Sequence, residues 1–200
     1  MPIRFPEPPP SIDEALSGRR IRGLPGALGR RFDLGEADEE PPALPVQPVF
    51  TAGLDEVIDG TEAEKAVSTP PSWRYSGFDA EGRPEVLELP EQAESGAVAS
   101  GDDRFGPMIR EALAVADQDP RVHEHDFDAR LFRIPALSLL ALWLHTAEAL
   151  DLFVPVGRPA AGLEANTVYD DEEFMSKVRA AAEQMGGHYS GADAPDELGS

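Results

Sequence analysis

Residues 128–156 read DARLFRIPALSLLALWLHTAEALDLFVPV, and this stretch decides the fold of the chain. Its apolar residues run almost without a break, so most of it has to be buried away from water. The longest apolar run, residues 134–144, contains a proline and a serine. It is shorter than the roughly 20 apolar residues that a membrane-spanning helix needs. The stretch therefore indicates the core of a folded domain, and we expect no membrane span.

We divide this stretch into strands. Residues 129–134 alternate partly between apolar and polar, and Pro135 predicts a bulge, a bend or an edge position after them. Residues 137–144 fit either a strand or a helix by length and composition. We favour a strand, because residues 146–150 form a suitable connection and residues 151–156 then read as its partner strand.

The elements before this stretch are a hairpin and a helix. Trp73 and Tyr75 are two residues apart, which places both on one face of a strand, where we expect them to cover the sheet. Turn residues at 79–84 and a return strand at 85–89 complete the hairpin. A helix then begins after Asp102 or Asp103, with Pro107 in its first turn, and ends before residues 119–120.

The closing helix has a clear capping signal. Asp170 and Glu173 form an acidic capping arrangement, and apolar residues follow at helical spacing until the glycines at 186–187. The predicted order is therefore ββαβββα. We predict one compact α+β domain over residues 72–187, with a small, mostly antiparallel sheet packed against two helices. Residues 188–200 are predicted to be a disordered tail.

Residues 1–70 predict a disordered or extended N-terminal arm. Ten of the 20 prolines of the chain lie in the first 50 residues, which argues against a long regular element there. A capping box at residues 11–14 predicts one short helical turn that stops at Gly18. We expect deletion of residues 1–70 to leave the melting of the domain nearly unchanged.

A second apolar cluster follows an acidic run at residues 36–40. It could lie in extended form either along the body or along a partner. Its members are Leu44, Val46, Val49, Phe50, Leu54, Val57 and Ile58.

The charge of the chain is divided unevenly. The formal net charge is −21, yet residues 1–32 carry six arginines and only three acidic residues. Such an acidic chain lacks the basic footprint that binding to nucleic acid or anionic membranes requires. With no cysteine, a disulfide framework and a thiolate metal site are both excluded. We take a cytoplasmic location as the default.

The basic part of the arm is the candidate partner-binding segment. A disordered segment with interleaved apolar anchors can fold onto a partner while its charges set the orientation. The alternatives are a solvated tail whose arginines merely reflect coding bias, and a targeting role. The candidate binding residues are Arg19, Arg20, Ile21, Arg22, Leu24, Leu28, Arg30, Arg31 and Phe32.

The candidate metal ligands lie just before the apolar stretch. On a strand, His123 and His125 would face the same way and could bind a metal together with Asp126 and Asp128. Glu124 or His145 could serve as auxiliary groups. We favour a solvated connecting loop for these residues, and a pH-sensitive contact is a further alternative.

We therefore expect a non-catalytic interaction or accessory subunit that docks on a larger protein partner or assembly through the arm. No serine lies in a G-x-S-x-G elbow, and the glycines at 23–29 lack the ending of a phosphate-binding loop. We predict no cofactor. One alternative is a small metal-dependent enzyme or metal-binding module that uses the histidine cluster. The other is a self-associating structural subunit that pairs through an exposed edge of the hairpin at 137–156.

Overall fold

The computed structural model describes residues 3–17, 44–60, 62–67, 71–78, 83–91, 99–101, 103–148 and 150–190. The strands in these residues are β1 (Ile3–Arg4), β2 (Leu44–Thr51), β3 (Ser72–Phe78), β4 (Pro84–Pro90), β5 (Ala99–Gly101), β6 (Phe127–Ile134), β7 (Leu139–His145), β8 (Asp151–Pro155) and β9 (Tyr169–Asp170). The helices are α1 (Pro10–Ser17), α2 (Leu54–Asp59), α3 (Ala63–Ala66), α4 (Gly106–Ala116), α5 (Pro120–Glu124) and α6 (Asp171–Ser190).

All described strands belong to one mixed sheet with the order β5-β4-β3-β2-β6-β7-β8-β9, and β1 also pairs with β6. The pairs β1–β6 and β2–β6 are parallel, and the other pairs are antiparallel. The predicted α+β class and the predominance of antiparallel pairing are confirmed. From residue 72 onward the predicted order is also found, with β5, α5 and β9 as additional short elements.

The apolar stretch forms three neighbouring strands in the sheet, as predicted. Pro135 starts a short 3-10 turn, and Ser138 then takes a left-handed conformation with φ of 50°. The strand predicted at 137–144 is confirmed from Leu139 onward, and β7 is buried in all residues except His145. Since β7 lies between β6 and β8, the hairpin at 137–156 has no exposed edge along β7. The outer edge of the hairpin is that of β8, which pairs with β9 at Leu152 and Phe153, and self-association through this edge stays a prediction.

The two faces of the sheet carry different cores. On one face, α6 packs against an aromatic cluster in which Phe153 stacks on Phe174 with ring centroids 4.2 Å apart. On the other face, α4 packs against aliphatic residues such as Leu131 and Leu142. Successive residues of a strand point to opposite faces of the sheet, so Leu142 of β7 packs in the aliphatic cluster and its neighbour Trp143 packs in the aromatic cluster.

The predicted N-terminal hairpin is confirmed, with Trp73 paired to Leu89 across β3 and β4. Trp73 and Tyr75 are both buried and cover the sheet as expected. The short helix predicted after Ser11 is α1, and its Leu16 packs into the same cluster as the two aromatic residues.

The folded body begins earlier in the chain than the boundary expected near residue 72. β2 lies between β3 and β6, which makes it an interior strand. The pairing with β3 shifts register between Leu44 and Gln47, so Pro45 falls in an irregularity where its missing N–H is tolerated. Pairing with β6 starts only at Val49, after Pro48. The second apolar cluster therefore lies along the body, which was one of its two open alternatives.

This position of β2 also corrects the expectation that residues 1–70 add little to the core. Buried residues in that range come from β1, α1, β2, α2 and α3, and they contribute to the hydrophobic clusters of both faces. They are Ile3, Ile12, Leu16, Leu44, Val46, Val49, Ala52, Val57, Ala63 and Ala66.

The closing helix begins as predicted, because Asp170 accepts a hydrogen bond of 2.8 Å from the N–H of Glu173. It continues through the glycines at 186–187 to Ser190, beyond its predicted end. Residues 191–200 lie outside the described part. Within the described residues, no helix is both long and apolar enough to cross a membrane.

Candidate functional site

The predicted partner-binding residues Arg19, Arg20, Ile21, Arg22, Leu24, Leu28, Arg30, Arg31 and Phe32 lie outside the described residues. We call residues 19–32 the docking segment. The elements on its two sides are described. Leu16 at the end of α1 and Leu44 at the start of β2 are each 1% exposed. The chain is therefore anchored to the body both before and after the docking segment.

The histidine region has more regular structure than the connecting loop that we expected. Asp119 begins α5, because its Oδ1 accepts a hydrogen bond of 2.9 Å from the N–H of Arg121. The side chain of Arg121 also bonds Asp119 and lowers the pKa of that carboxyl. His123 lies on α5 and His125 follows it, so the two histidines do not share a strand. Val122 and Phe127 are buried and hold this region on the body.

Three of the four candidate metal ligands line one open cavity of about 500 Å³. They are His123, His125 and Asp126. The Nδ1 atom of His125 lies 3.8 Å from a carboxylate oxygen of Glu148. Asp128 instead faces Arg4, whose Nε lies 3.7 Å from Oδ1. Among the described residues, no three histidine or acidic side chains are arranged to hold a metal ion.

His145 is separate from that cavity lining and forms a pair within the β7–β8 hairpin. Its Nδ1 lies 2.8 Å from Oδ1 of Asp151, which is its cross-strand neighbour. The side chains are only 13% and 9% exposed. Contact with a carboxylate orients an imidazole ring. The same pairing ties the two strands together at the end of the hairpin.

Sequence reasoning missed a second cavity, which we call the arginine pocket. It has a volume of about 210 Å³ and lies on the α4 side of the sheet. The apolar part of its lining is Val49, Phe105, Leu131, Leu139 and Leu140. The polar part is Arg74, Glu88, Arg133 and Ser138.

A bidentate ion pair fixes one side of the arginine pocket. Nη1 and Nη2 of Arg133 donate to the two carboxylate oxygens of Glu88 at 2.9 and 2.8 Å. Ser72 donates a further hydrogen bond of 2.6 Å to Glu88, and Arg133 also donates to Thr51. Burial alone would raise the pKa of Glu88. The hydrogen bonds from Arg133 and Ser72 and the charges of Arg133 and Arg74 outweigh burial and lower this pKa.

Arg74 is the second arginine in the lining of the arginine pocket. Its Nη2 donates to Asp103 at 2.9 Å, and its Nε donates to Ser76 at 3.3 Å. Asp103 also accepts a hydrogen bond of 2.8 Å from the N–H of Gly106, so it caps α4 and holds Arg74 at the same time. The guanidinium carbon of Arg74 lies 5.8 Å from the centre of the Phe105 ring.

The sequence signal for this pocket is weak. Arg74, Glu88 and Arg133 are charged residues within three separate strands. Their side chains meet because the strand order β4-β3-β2-β6 places these strands in one part of the sheet, and the sequence did not predict that order.

Comparisons with known proteins give no match to a family model, to a curated protein or to a solved structure.

Proposed function

We propose that the protein is a non-catalytic interaction subunit that binds a larger protein partner or assembly through the docking segment. The observation that carries this proposal is the anchoring of the chain on both sides of residues 19–32. Leu16 packs with Trp73 and Tyr75, and Leu44 begins a strand beside β3. The docking segment is therefore attached to a folded body at two points.

Attachment at two points favours binding through this segment. A closed loop has fewer accessible conformations than a free tail of the same length, so less conformational entropy is lost when it is ordered on a partner. The body supplies the fixed frame, because α1 and β2 are both packed into it.

The chemistry of the segment supports a protein surface as the partner. Its five arginines are Arg19, Arg20, Arg22, Arg30 and Arg31, in a chain whose formal net charge is −21. Opposite charges on a partner would orient the segment and raise the association rate. Ile21, Leu24, Leu28 and Phe32 supply the apolar surface that would give the complex most of its affinity.

The test compares partner capture by the full chain with capture by two variants, using extracts of the source cells. In the first variant, the five arginines become glutamine. In the second, Leu24→Ala is combined with Leu28→Ala. The arginine variant should lose capture most strongly at low salt, because salt screens the interactions of exposed charges. The leucine variant should lose capture at all salt concentrations.

The matched control is Arg104→Gln with Arg158→Gln, since both arginines are exposed on the folded body. This control should capture the same partner as the parent chain. The captured protein is then purified and titrated against each variant, so that binding is measured directly. A partner that binds the docking-segment variants as tightly as the parent would place the interface on the folded body and contradict the proposal.

A further inference from the structure

The arginine pocket combines an apolar wall with a guanidinium group that has an unused donor. The side chain of Arg74 is 11% exposed, so its charge is largely removed from water. Its Nε and Nη2 are bonded to Ser76 and Asp103. Its Nη1 has no acceptor among the described residues. A guanidinium that is removed from water gains from every hydrogen bond to an anionic acceptor that it can make.

The rest of the polar lining is fixed in advance. Arg133 is held by both oxygens of Glu88 and by Thr51, so its position does not depend on a ligand. Arg74 and Arg133 are each paired with one carboxylate, Asp103 and Glu88, so the two ion pairs balance in charge. Preorganised donors of this kind bind anions without a further cost in ordering side chains.

The apolar lining and the volume limit the ligand. Leu131, Leu140 and Phe105 give the pocket an apolar surface. Its volume of about 210 Å³ corresponds to roughly seven water molecules in the liquid. This is below the roughly 300 Å³ at which pockets for larger organic ligands begin. The pocket therefore suits a compact group such as a single ring or a branched aliphatic chain.

We propose that the arginine pocket binds a small monocarboxylate with a compact apolar body. The carboxylate accepts hydrogen bonds from Nη1 of Arg74 beside Arg133, and the apolar body packs against Leu131, Leu140 and Phe105. Such a group exists both as a free acid and as the C-terminal residue of a polypeptide. This proposal does not rest on the docking segment, because every described residue of the pocket lining belongs to the folded body.

The test is a calorimetric titration of the full chain with benzoate, with 4-methylpentanoate and with benzamide as the neutral analogue of benzoate. We expect saturable binding of both acids with dissociation constants of about 1 mM or tighter. Benzamide should bind at least about tenfold more weakly, because it lacks the charge-assisted hydrogen bond. Absence of saturable binding by either acid at about 10 mM would overturn the proposal.

Variants locate the site. Arg74→Gln should weaken benzoate binding by about tenfold or more and leave benzamide binding unchanged. Since Arg74 also bonds the residue that caps α4, a second variant, Leu140→Phe, fills the apolar part without touching a charge. It should weaken both ligands. Arg158→Gln is the matched control and should bind benzoate like the parent. Equal binding of benzoate by the parent, Arg74→Gln and Leu140→Phe would place the ligand elsewhere and refute the assignment.

A peptide titration distinguishes the two sources of the carboxylate. The tripeptide Gly-Gly-Leu with a free C-terminus is compared with its amide. Tighter binding of the free peptide than of 4-methylpentanoate would identify a polypeptide C-terminus as the ligand. Weaker binding would identify a free acid. A chain in which a glycine–serine linker replaces residues 18–43 should bind benzoate normally, even if it loses every protein partner.

Discussion

Two interior strands of the same sheet, β2 and β7, have contrasting sequences. β7 reads LLALWLH and is buried in all but its last residue. β2 reads LPVQPVFT, contains two prolines and a glutamine, and is nevertheless buried over its first six residues. The difference teaches that an interior position depends on the neighbours that cover a strand as well as on the hydrophobicity of the strand itself.

The neighbours of β2 explain its burial. β3 and β6 pair with it on either side, and its residues contribute to hydrophobic clusters on both faces of the sheet. Leu44 and Val49 pack with the α4 cluster, whereas Val46 packs with α1, Trp73 and Tyr75. The sheet thus uses β2 as the link between the N-terminal hairpin and the apolar stretch.

The largest expected effect comes from removing β2. Deletion of residues 1–70 should abolish the cooperative thermal transition, because it separates β3 from β6 and exposes both faces of the core. The matched control replaces only residues 18–43 with a glycine–serine linker of equal length. Its melting should stay close to that of the parent. Circular dichroism melts check both results, and a cooperative parent-like melt of the 1–70 deletion would contradict the interior position of β2.

Single substitutions sharpen the same comparison. Leu44 in β2 and Leu142 in β7 are 1% and 0% exposed and belong to the same cluster. Leu44→Ala and Leu142→Ala should therefore each lower the free energy of unfolding by about 2–5 kcal/mol. Phe153→Ala and Trp143→Ala in the aromatic cluster should each cost about 3–5 kcal/mol. Urea unfolding measures all four. If Leu44→Ala left the midpoint unchanged, β2 would be a peripheral strand.

The contrast also explains how much of the fold the sequence could predict. The hairpin at Trp73, the strands of the apolar stretch and the cap at Asp170 depend on local patterns, and all three are found. β2 and the arginine pocket depend on which distant segments pair, and periodicity carries no information on that. Prolines in β2 also gave a misleading local signal, since they are tolerated where the register shifts and where pairing with β6 has not begun. The docking segment stays a prediction, because it lies outside the described residues.

The ion pair of Glu88 and Arg133 gives a smaller effect with a defined pH dependence. Arg133 also bonds Thr51 at the end of β2, so the pair joins β2, β4 and β6. The lowered pKa of Glu88 means that its carboxylate stabilises the fold above the unfolded pKa of about 4.3. That contribution is lost as the pH falls through the folded pKa.

Glu88→Gln should therefore reduce the free energy of unfolding by about 1–2 kcal/mol at pH 7, where partial exposure of Arg133 moderates the loss. The difference from the parent should shrink below about pH 4. Glu91→Gln, at an exposed position after β4, should show no such change. Urea unfolding at a series of pH values measures the effect, and a pH-independent difference would rule out the ionised pair as its cause.

Asp171 is expected to act in the opposite direction. Burial raises the pKa of this carboxyl, and the charges of Asp151, Glu62 and Asp170 raise it further. The N–H of Ala63 donates a hydrogen bond of 3.2 Å to the carboxylate and lowers the pKa, but this effect is smaller. Ionised Asp171 therefore opposes folding at neutral pH, and this penalty disappears as the pH falls below the unfolded pKa of about 3.9.

Asp171→Asn keeps an acceptor for Ala63 and removes the charge. It should raise the free energy of unfolding at pH 7 by up to about 0.5 kcal/mol, with no gain near pH 3.5. The gain is limited because the negative charge also favours the N-terminus of α6. Thermal melts at the two pH values measure the difference, and Glu172→Gln in the same turn is the matched control. A loss of stability at pH 7 would show that the charge at the helix terminus outweighs the effect of burial.

The smallest expected effect concerns the two histidines just before β6. His123 is exposed, and the contact of His125 with Glu148 is long and involves a glutamate side chain that is 80% exposed. Changing both His123 and His125 to alanine should alter the free energy of unfolding by less than about 0.5 kcal/mol and should leave the metal content of the purified protein unchanged.

His145→Ala is the matched contrast, because its partner Asp151 is buried, and it should cost about 1–3 kcal/mol. Stoichiometric zinc, nickel or iron in the parent that disappears in the double variant would instead identify the cavity beside α5 as a metal site. Its ligands would then have to move, since no three histidine or acidic side chains among the described residues converge on one point.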